Sequence, residues 1–246
     1  MRTLVLSCDT LGMEVIPTVI RSVERHTEGA LRVVVYSRGM HAEGFRRGRL
    51  EVEFRRPREE FGQAKGRIAA EMFDRLWCIA DLQDTERVMI LDWDQLAVGC
   101  LEELWDVEMT GQFGAFVRSP FGKTFKSSRW IGEGYWAQDM PGVEQPFFRF
   151  GGMLNLEECR KAGILQTVQG LAGNGSTEQA LLAHAMGGNY AGLDRKWNNL
   201  VKYEGLVPDA RILHWHGGKK PWSHDGLDHA ELWHAARCSW REIRLT

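Results

Sequence analysis

The chain has 246 residues, 43% of them hydrophobic, which is enough for one α/β domain with a sizeable core. Its formal net charge of -2 argues against nucleic acid as a partner, although local basic runs leave peripheral membrane contact open. Five cysteines without C-x-x-C spacing argue against a disulfide framework and favour a reduced, cytoplasmic location. No stretch has the apolar length of a signal-peptide core or a membrane span, and the sequence leaves the oligomeric state open.

The first part of the chain alternates between strand and helix patterns. Apolar runs at 4–6 and 31–36 predict two buried strands, and apolar residues at helical spacing over 16–23 predict the helix between them. A further strand is predicted at 50–54 and a further helix over 68–82. This order predicts a parallel sheet built from strand-helix-strand units with right-handed crossovers.

An uninterrupted apolar run at 88–91 ends at two aspartates, and such a run is typical of a central strand buried on both faces. In an extended backbone Asp92 and Asp94 point to the same side, with Trp93 turned away. Adjacent carboxylates repel unless a cation lies between them, and hard oxygen ligands suit magnesium or manganese. Ligands of open α/β sheets bind beyond the carboxyl ends of strands, so we predict a metal site here. Two solvated loop carboxylates, or a helix N-cap, are the structural alternative.

The second half of the chain is predicted to contain shorter elements around one long irregular stretch. Predicted helices lie at 101–105, 157–170 and 177–186, and predicted strands at 113–117, 147–156 and 210–215. The stretch 119–145 has no regular pattern but is rich in aromatic residues, including Trp130, Tyr135 and Trp136. Long irregular loops in compact domains are usually functional or disordered, and the aromatic content favours function.

Several segments, in register over nearly the whole chain, resemble one enzyme family. They are SCDTLG at 7–12, FDRLW at 73–77, ILDWDQLAVGCLEELWD at 90–106, GGMLNLEECR at 151–160, TEQALL at 177–182 and HWHGGKKPW at 214–222. The last fits the pattern H-x-x-G-x-x-K-P-W at every fixed position, and its pairing with an upstream D-x-D rarely arises by chance. The chain resembles glycosyltransferase family 8, the retaining enzymes that include glycogenin and the bacterial lipopolysaccharide galactosyltransferases.

The resemblance implies a fold and a reaction. The expected fold is a single GT-A domain over 1–246, a Rossmann-like α/β/α sandwich with a mostly parallel central sheet. Residues 1–106 would form the nucleotide-binding half and 107–246 the sugar and acceptor half. The expected reaction is metal-dependent transfer of a hexose from a nucleotide-sugar, with a UDP-sugar as the leading donor, to a glycan, lipid-glycan or protein acceptor. The aromatic stretch 119–145 would shape the acceptor side, with core packing beneath a lid as the alternative.

The resemblance also assigns ligands for Mn²⁺ or Mg²⁺ and for the donor. The metal ligands would be Asp92, Asp94 and His214. The nucleotide-sugar would contact Ser7, Cys8, Asp9, Thr10, Arg75, Asp92, Trp93, Asp94, Gly217, Gly218 and Lys220. The Lys220 ammonium and the backbone N–H groups of its glycine-bordered loop suit a diphosphate. The structural alternatives are a core histidine at His214, a surface lysine at Lys220 and a solvated helix face at Arg75.

Three residues are expected to serve the chemistry: Gln179, Glu178 and Arg75. Retention by double displacement would require a nucleophile such as a carboxylate, whereas Gln179 is a neutral amide. We therefore favour a same-face mechanism in which the departing diphosphate accepts the acceptor's proton, with Glu178 binding sugar hydroxyls. The alternative is an ordinary polar helix face. The sequence departs from the family at 150–152, where Phe-Gly-Gly replaces the usual Asn-Ala-Gly turn, and this leaves the sugar identity open.

Other functions are weighed against the transferase. A nucleotide-sugar-binding protein of the same fold without transferase activity would not require intact acids, histidine and lysine. A sugar nucleotidyltransferase would require an early basic glycine-rich signature, and 7–12 contains no lysine or arginine. The arginine-rich segment 45–58 is interspersed with acids, so a solvated edge is favoured there over nucleic-acid binding.

Overall fold

The structure, a computed structural model, describes residues 1–38, 42–58, 71–119, 148–172, 177–224 and 226–245. The strands in these ranges are β1 (Arg2–Cys8), β2 (Leu31–Ser37), β3 (Phe45–Arg47), β4 (Leu50–Arg55), β5 (Arg87–Ile90), β6 (Gln95–Ala97), β7 (Gly114–Arg118), β8 (Phe148–Asn155), β9 (Ala191–Leu193), β10 (Asn199–Leu200) and β11 (Ile212–His214). The α-helices are α1 (Gly12–Arg25), α2 (Glu71–Asp74), α3 (Cys78–Asp81), α4 (Glu102–Trp105), α5 (Leu156–Lys161), α6 (Ile164–Leu171), α7 (Glu178–Met186), α8 (Val201–Glu204), α9 (Ala230–Ala236) and α10 (Trp240–Leu245). Short 3-10 turns lie at Arg75–Trp77 and Arg195–Trp197.

Among the described residues, eight strands form a central sheet in the order β3-β4-β2-β1-β5-β8-β7-β9. The pairs β1/β2, β2/β4, β1/β5 and β7/β9 are parallel, whereas β3/β4, β5/β8 and β7/β8 are antiparallel. The predicted α/β class with a mostly parallel sheet is confirmed. The acid-bearing strand β5 lies between β1 and β8, which places its carboxyl end near the centre of the sheet edge.

Helices cover both faces of this sheet because alternate strand residues point to opposite sides. On one face Leu4 and Leu6 join a buried cluster with Ile16 of α1. On the other face Val5 joins a second buried cluster with Leu76 of the segment before β5. The fully apolar runs of the sequence therefore correspond to strands buried on both faces, and the layers form the predicted α/β/α sandwich.

A second, three-stranded sheet places β11 next to the turn that contains Asp92 and Asp94. Its order is β10-β11-β6, with β10 parallel and β6 antiparallel to β11. The register sets His214 opposite Gln95, the residue directly after Asp94. Of its strands only β11 was predicted, as the strand at 210–215, and the short strands β6 and β10 leave no periodic signal of their own. This sheet places the H-x-x-G-x-x-K-P-W motif at 214–222 beside the turn that contains Asp92 and Asp94.

Two helices that the sequence predicts as continuous are divided in the structure. The single helix expected over 157–170 is two helices, α5 and α6, because Gly163 between them adopts a left-handed backbone conformation with φ of +66°. The described part of the 68–82 helix consists of α2 and α3 separated by the 3-10 turn Arg75–Trp77. None of the helices in the described ranges is long and apolar enough to cross a bilayer.

Candidate metal and donor site

The acid pair lies in a tight turn between β5 and β6 that hydrogen bonds hold from both sides. The backbone N–H of Gln95 donates to the Asp92 carbonyl at 3.2 Å, and the Gln95 side-chain oxygen accepts from the Asp92 N–H at 2.7 Å. The Asp94 carbonyl accepts from the backbone N–H of Trp215 at 3.2 Å. The turn is therefore anchored to the strand that ends at His214.

Each aspartate directs one carboxylate oxygen to a basic side chain and the other toward His214. Asp92 accepts from Arg75 through Oδ1, and its Oδ2 lies 3.9 Å from His214 Nε2. Asp94 accepts from Lys220 through Oδ2, and its Oδ1 lies 3.4 Å from the same nitrogen. Two carboxylate oxygens and one imidazole nitrogen thus converge on one point, so the structure brings together the three residues that the sequence assigned to a metal.

The orientation of His214 leaves the correct nitrogen available to a metal. Its Nδ1 lies 2.9 Å from Oδ1 of Asn198, whose Nδ2 donates to the carbonyls of Phe150 and Gly151 at 2.6 and 3.2 Å. Because those carbonyls can only accept, the amide oxygen faces the imidazole and Nδ1 carries the proton. Nε2, which faces both acids, is then the ring nitrogen that a metal would bind.

The three side chains fit a hard divalent cation. Each of Asp92, Asp94 and His214 offers one ligand atom, and these atoms lie within 4.8 Å of one another. Burial raises the pKa of the Asp94 carboxyl, but its interactions with His214 and with the Lys220 ammonium outweigh burial and hold the pKa well below its ordinary value. Asp94 is therefore anionic at neutral pH. Carboxylate oxygens with one neutral imidazole suit Mn²⁺ or Mg²⁺ better than a soft metal.

The site opens into a cleft of about 300 Å³ at the carboxyl ends of β1 and β5. Its lining residues are Ser7, Cys8, Asp9, Glu71, Met72, Arg75, Asp92, Trp93, Asp94, His214, His216, Gly217 and Lys220. Thr10 and Gly218, which the sequence also assigned to the donor, do not belong to this lining. Asp9 has a structural role as well, because its Oδ1 accepts from the Gly12 N–H at 2.7 Å at the start of α1.

The loop that carries Lys220 is held over the acid turn by aromatic contacts. The rings of Trp93 and Trp222 lie 5.2 Å apart, and Trp222 packs on Trp233 of α9 at 5.0 Å. Gly217 has φ of +106°, a conformation that favours glycine. The Lys220 ammonium contacts Asp94 and also donates to the Trp215 carbonyl at 3.1 Å. Lys220 is thus an organised part of the cleft, which excludes the surface-lysine alternative.

Arg75 and Glu178 form a buried ion pair behind the acid turn. The two side chains are each 2% exposed, and Arg75 Nη2 donates to Glu178 Oε1 at 3.0 Å. The guanidinium also donates to the Leu91 carbonyl at 3.1 Å and lies 3.7 Å over the Phe150 ring. The solvated helix face considered for Arg75 is therefore wrong. Burial raises the pKa of Glu178, and the Arg75 charge opposes this shift.

The remaining predicted residues lie around this core. Glu178 and Gln179 begin α7, where Thr177 caps the helix, and neither lines the cleft. The Gln179 side-chain N–H donates to the Phe148 carbonyl of β8. The aromatic residues Trp130, Tyr135 and Trp136, predicted to shape the acceptor side, lie outside the described residues.

Sequence reasoning missed two amides that support the site, Gln95 and Asn198, both fully buried. The sequence also did not explain why Phe-Gly-Gly stands at 150–152 in place of the usual family turn. A Cβ on Gly151 would lie 2.4 Å from the Gln95 side-chain nitrogen, and its φ is +102°. Only glycine allows the backbone of β8 to pass this close to the Gln95 amide.

Gly151→Ala is therefore expected to lower the free energy of unfolding by about 2–5 kcal/mol, through backbone strain and overpacking against Gln95. Urea unfolding monitored by circular dichroism measures this loss. Gly170→Ala is the matched control, because a Cβ at that exposed helical position meets no atom within 4 Å. We expect the control to be neutral or stabilising. Equal stability of the Gly151 variant and the wild type would contradict the close packing against Gln95.

Comparisons with known proteins agree with this arrangement. The sequence model described as Glycosyl transferase family 8 matches residues 19–226. The galactosyltransferase LgtC in complex with donor and acceptor sugar analogs is 19% identical, with a TM-score of 0.77 over 95% of this chain and 94% of that chain. An active-site mutant of LgtC is 18% identical, with a TM-score of 0.76 over the same shares.

The glycosyltransferase GlyE of Streptococcus pneumoniae is 17% identical, with a TM-score of 0.72 over 99% of this chain and 63% of that chain. No curated protein sequence matches the chain. The structural likenesses establish the GT-A fold, and the family match spans most of the chain. The chain therefore belongs to glycosyltransferase family 8 and is a glycosyltransferase.

Proposed function

We propose that the protein transfers a hexose from a nucleotide-sugar, with a UDP-sugar as the leading donor, to a glycan or glycoconjugate acceptor. The reaction requires Mn²⁺ or Mg²⁺ and retains the anomeric configuration. The chain acts as one GT-A domain, with the nucleotide bound by the half that contains the D-x-D turn. The observation that carries the proposal is the convergence of Asp92, Asp94 and His214 Nε2 at the floor of the cleft.

The charge distribution of the cleft suits a diphosphate leaving group. The leaving group gains negative charge as the glycosidic bond breaks, and a bound divalent cation supplies Lewis-acid stabilisation of that charge. Lys220 and the backbone of Gly217, both in the cleft lining, would hold the diphosphate at the same place. Ser7, Cys8 and Asp9 line the cleft beyond the end of β1 and would border the base and ribose.

Arg75 would contribute through a fixed positive charge. Its guanidinium lines the cleft while its ion pairs with Asp92 and Glu178 keep it in place. Glu178 Oε2 is buried and has no hydrogen-bond partner among the described residues. Glu178 would bind sugar hydroxyls through this oxygen. Gln179, whose side chain donates a hydrogen bond to the Phe148 carbonyl of β8, would orient the sugar.

Retention is proposed to proceed on one face of the sugar. A covalent intermediate would require a nucleophile beneath the anomeric carbon. Glu178 is held in its ion pair with Arg75, and Gln179 is an amide and a poor nucleophile. The departing diphosphate, which Lys220 would hold in place, would instead accept the proton of the acceptor hydroxyl.

The first experiment incubates the wild-type protein with a panel of nucleotide-sugars, with Mn²⁺ or with EDTA, and follows donor hydrolysis. We expect hydrolysis of one UDP-hexose only when the metal is present. Proton NMR of the first-formed sugar from an α-linked donor should show the α anomer. Metal-dependent donor binding without turnover would identify a binding protein instead, a β anomer would overturn retention, and a covalent glycosyl adduct on Glu178 would overturn the same-face route.

Lys220→Ala is expected to weaken binding of UDP by about 1.5–3 kcal/mol, or roughly 10- to 150-fold, through loss of a charge-assisted contact. Isothermal titration with Mn²⁺ present measures the change. Lys219→Ala is the matched control, because it removes the same charge from the adjacent, exposed position. Equal affinities of the two variants would remove Lys220 from the diphosphate site.

A further inference from the structure

Two buried side-chain amides meet at the carbonyl of Phe150. Asn198 Nδ2 donates to it at 2.6 Å, and Gln95 Nε2 donates to it at 3.3 Å. Each amide presents its oxygen to a different metal-ligating residue, Gln95 to the Asp92 N–H at 2.7 Å and Asn198 to His214 Nδ1 at 2.9 Å. The two amides therefore connect the acid turn and the histidine through one point on β8.

The hydrogen bonds of Asn198 fix which way its amide points. Its Nδ2 group also reaches the Gly151 carbonyl at 3.2 Å, so both amide protons have acceptors on β8. The oxygen is then the only group that Asn198 can offer to His214. Gln95 Nε2 lies 3.3 Å from the same imidazole nitrogen, but its protons cannot bond to a protonated Nδ1. The shorter contact with Asn198 therefore sets the tautomer.

Asn198 is itself held in place by a buried ion pair. Arg149 of β8 donates to the Asn198 carbonyl and forms two hydrogen bonds with the Glu204 carboxylate at 2.6 and 2.7 Å. Glu204 in turn accepts from the Leu200 N–H at 3.0 Å. The segment that carries Asn198 is thus clamped to β8, with little freedom to turn its amide away from the imidazole.

We propose that Asn198 is a positioning residue that keeps the His214 proton on Nδ1 and so presents Nε2 to the metal. This proposal rests on the metal site of the proposed function. Partners of this kind orient a metal-bound imidazole, and their loss typically costs 10- to 100-fold in metal affinity. Asn198 is not among the residues that line the cleft and contacts His214 Nδ1, so it would act only through His214.

The test uses ¹⁵N-histidine-labelled, metal-free protein together with Mn²⁺ titrations followed by electron paramagnetic resonance, without donor. The NMR signals of His214 are assigned with a His214→Asn variant. In the wild type we expect the Nδ1–H tautomer. In Asn198→Leu we expect redistribution of the proton to Nε2 and a loss of Mn²⁺ affinity of about 10- to 100-fold. Asn198→Asp retains an acceptor oxygen and should preserve the Nδ1–H tautomer, even if it is less stable.

Asn189→Leu is the matched control, because it removes an exposed amide that donates to the Gly111 carbonyl at 2.8 Å. A folded Asn198→Leu variant with wild-type Mn²⁺ affinity and an unchanged tautomer would overturn the proposal. If that variant does not fold, the wild-type spectrum decides, and an Nε2–H tautomer there would refute the assignment. Absence of Mn²⁺ binding by the wild type would instead refute the metal site of the proposed function, while the tautomer measurement would still test Asn198.

Discussion

Asp94→Ala is expected to abolish the metal-dependent part of donor binding. Asp94 supplies one of the three convergent ligand atoms, and its other oxygen binds Lys220. Loss of a direct ligand should weaken Mn²⁺ binding by more than the roughly 10- to 100-fold that is typical for loss of a supporting residue. The released Lys220 ammonium should still attract the diphosphate, so weak metal-independent binding should persist. Isothermal titration of UDP, with Mn²⁺ and with EDTA, separates the two contributions.

Asp84→Ala provides the control for Asp94, since its carboxylate is 69% exposed and pairs with Arg32 at the surface. The control should bind UDP with the wild-type dependence on Mn²⁺. Asp94→Ala with an undiminished metal dependence would exclude Asp94 from the ligand set. Asp92→Ala should resemble Asp94→Ala but should also destabilise the fold, because it removes one partner of the buried Arg75.

Arg75→Met is expected to cause the largest loss of stability. It leaves Glu178, which is buried, without its cation, and breaking a buried ion pair typically costs about 3–5 kcal/mol. For a chain of this size, the melting temperature should fall by about 6–20 °C. Burial already raises the pKa of Glu178, and removal of Arg75 would raise it further. A carboxyl with a raised folded-state pKa costs stability as pH rises, so the deficit should be larger at about pH 8 than at about pH 5.

The double variant Arg75→Met with Glu178→Gln tests whether the unpaired carboxylate causes this loss. It should recover much of the stability and remove the pH dependence of the deficit. Arg46→Met is the surface control, because Arg46 is 75% exposed and pairs with Glu51 only at 3.9 Å, and it should change stability by less than about 0.5 kcal/mol. A deficit that is equal at both pH values and unrelieved by Glu178→Gln would show that lost packing on Phe150, and not the charge, is responsible.

The first half of the fold was predictable because its elements carry strong local patterns. The predicted strands at 4–6, 31–36 and 50–54 lie within β1, β2 and β4, and the helix between the first two is α1. The short strands β3, β6, β9 and β10 were not predicted, since they are defined by pairing with distant residues and have no periodicity of their own, whereas the three-residue β11 lies within the predicted strand 210–215. The break between α5 and α6 depends on one glycine, which helical spacing alone does not mark as a stop.

The cluster of Asp92, Asp94 and His214 was predictable because its signals are local: two acids after a buried strand, and a histidine in a recognisable motif. The side chains that support them were not, because amides such as Gln95 and Asn198 are identified only by what they contact. The buried position of Arg75 likewise could not be predicted from the sequence. Its position in the sequence fits a solvated helix face, and only its contacts with Glu178 of α7 and Phe150 of β8 reveal that it is buried. Support of this kind depends on three-dimensional neighbours that sequence spacing does not encode.

The most direct test of the metal-dependent transferase is a crystal structure of the wild-type protein with Mn²⁺ and UDP, with diffraction measured near the manganese absorption edge. We predict one anomalous difference peak bounded by Asp92 Oδ2, Asp94 Oδ1 and His214 Nε2, with the UDP diphosphate adjoining both the peak and Lys220. A peak elsewhere, or UDP bound in the cleft without a metal between it and Asp94, would contradict the account.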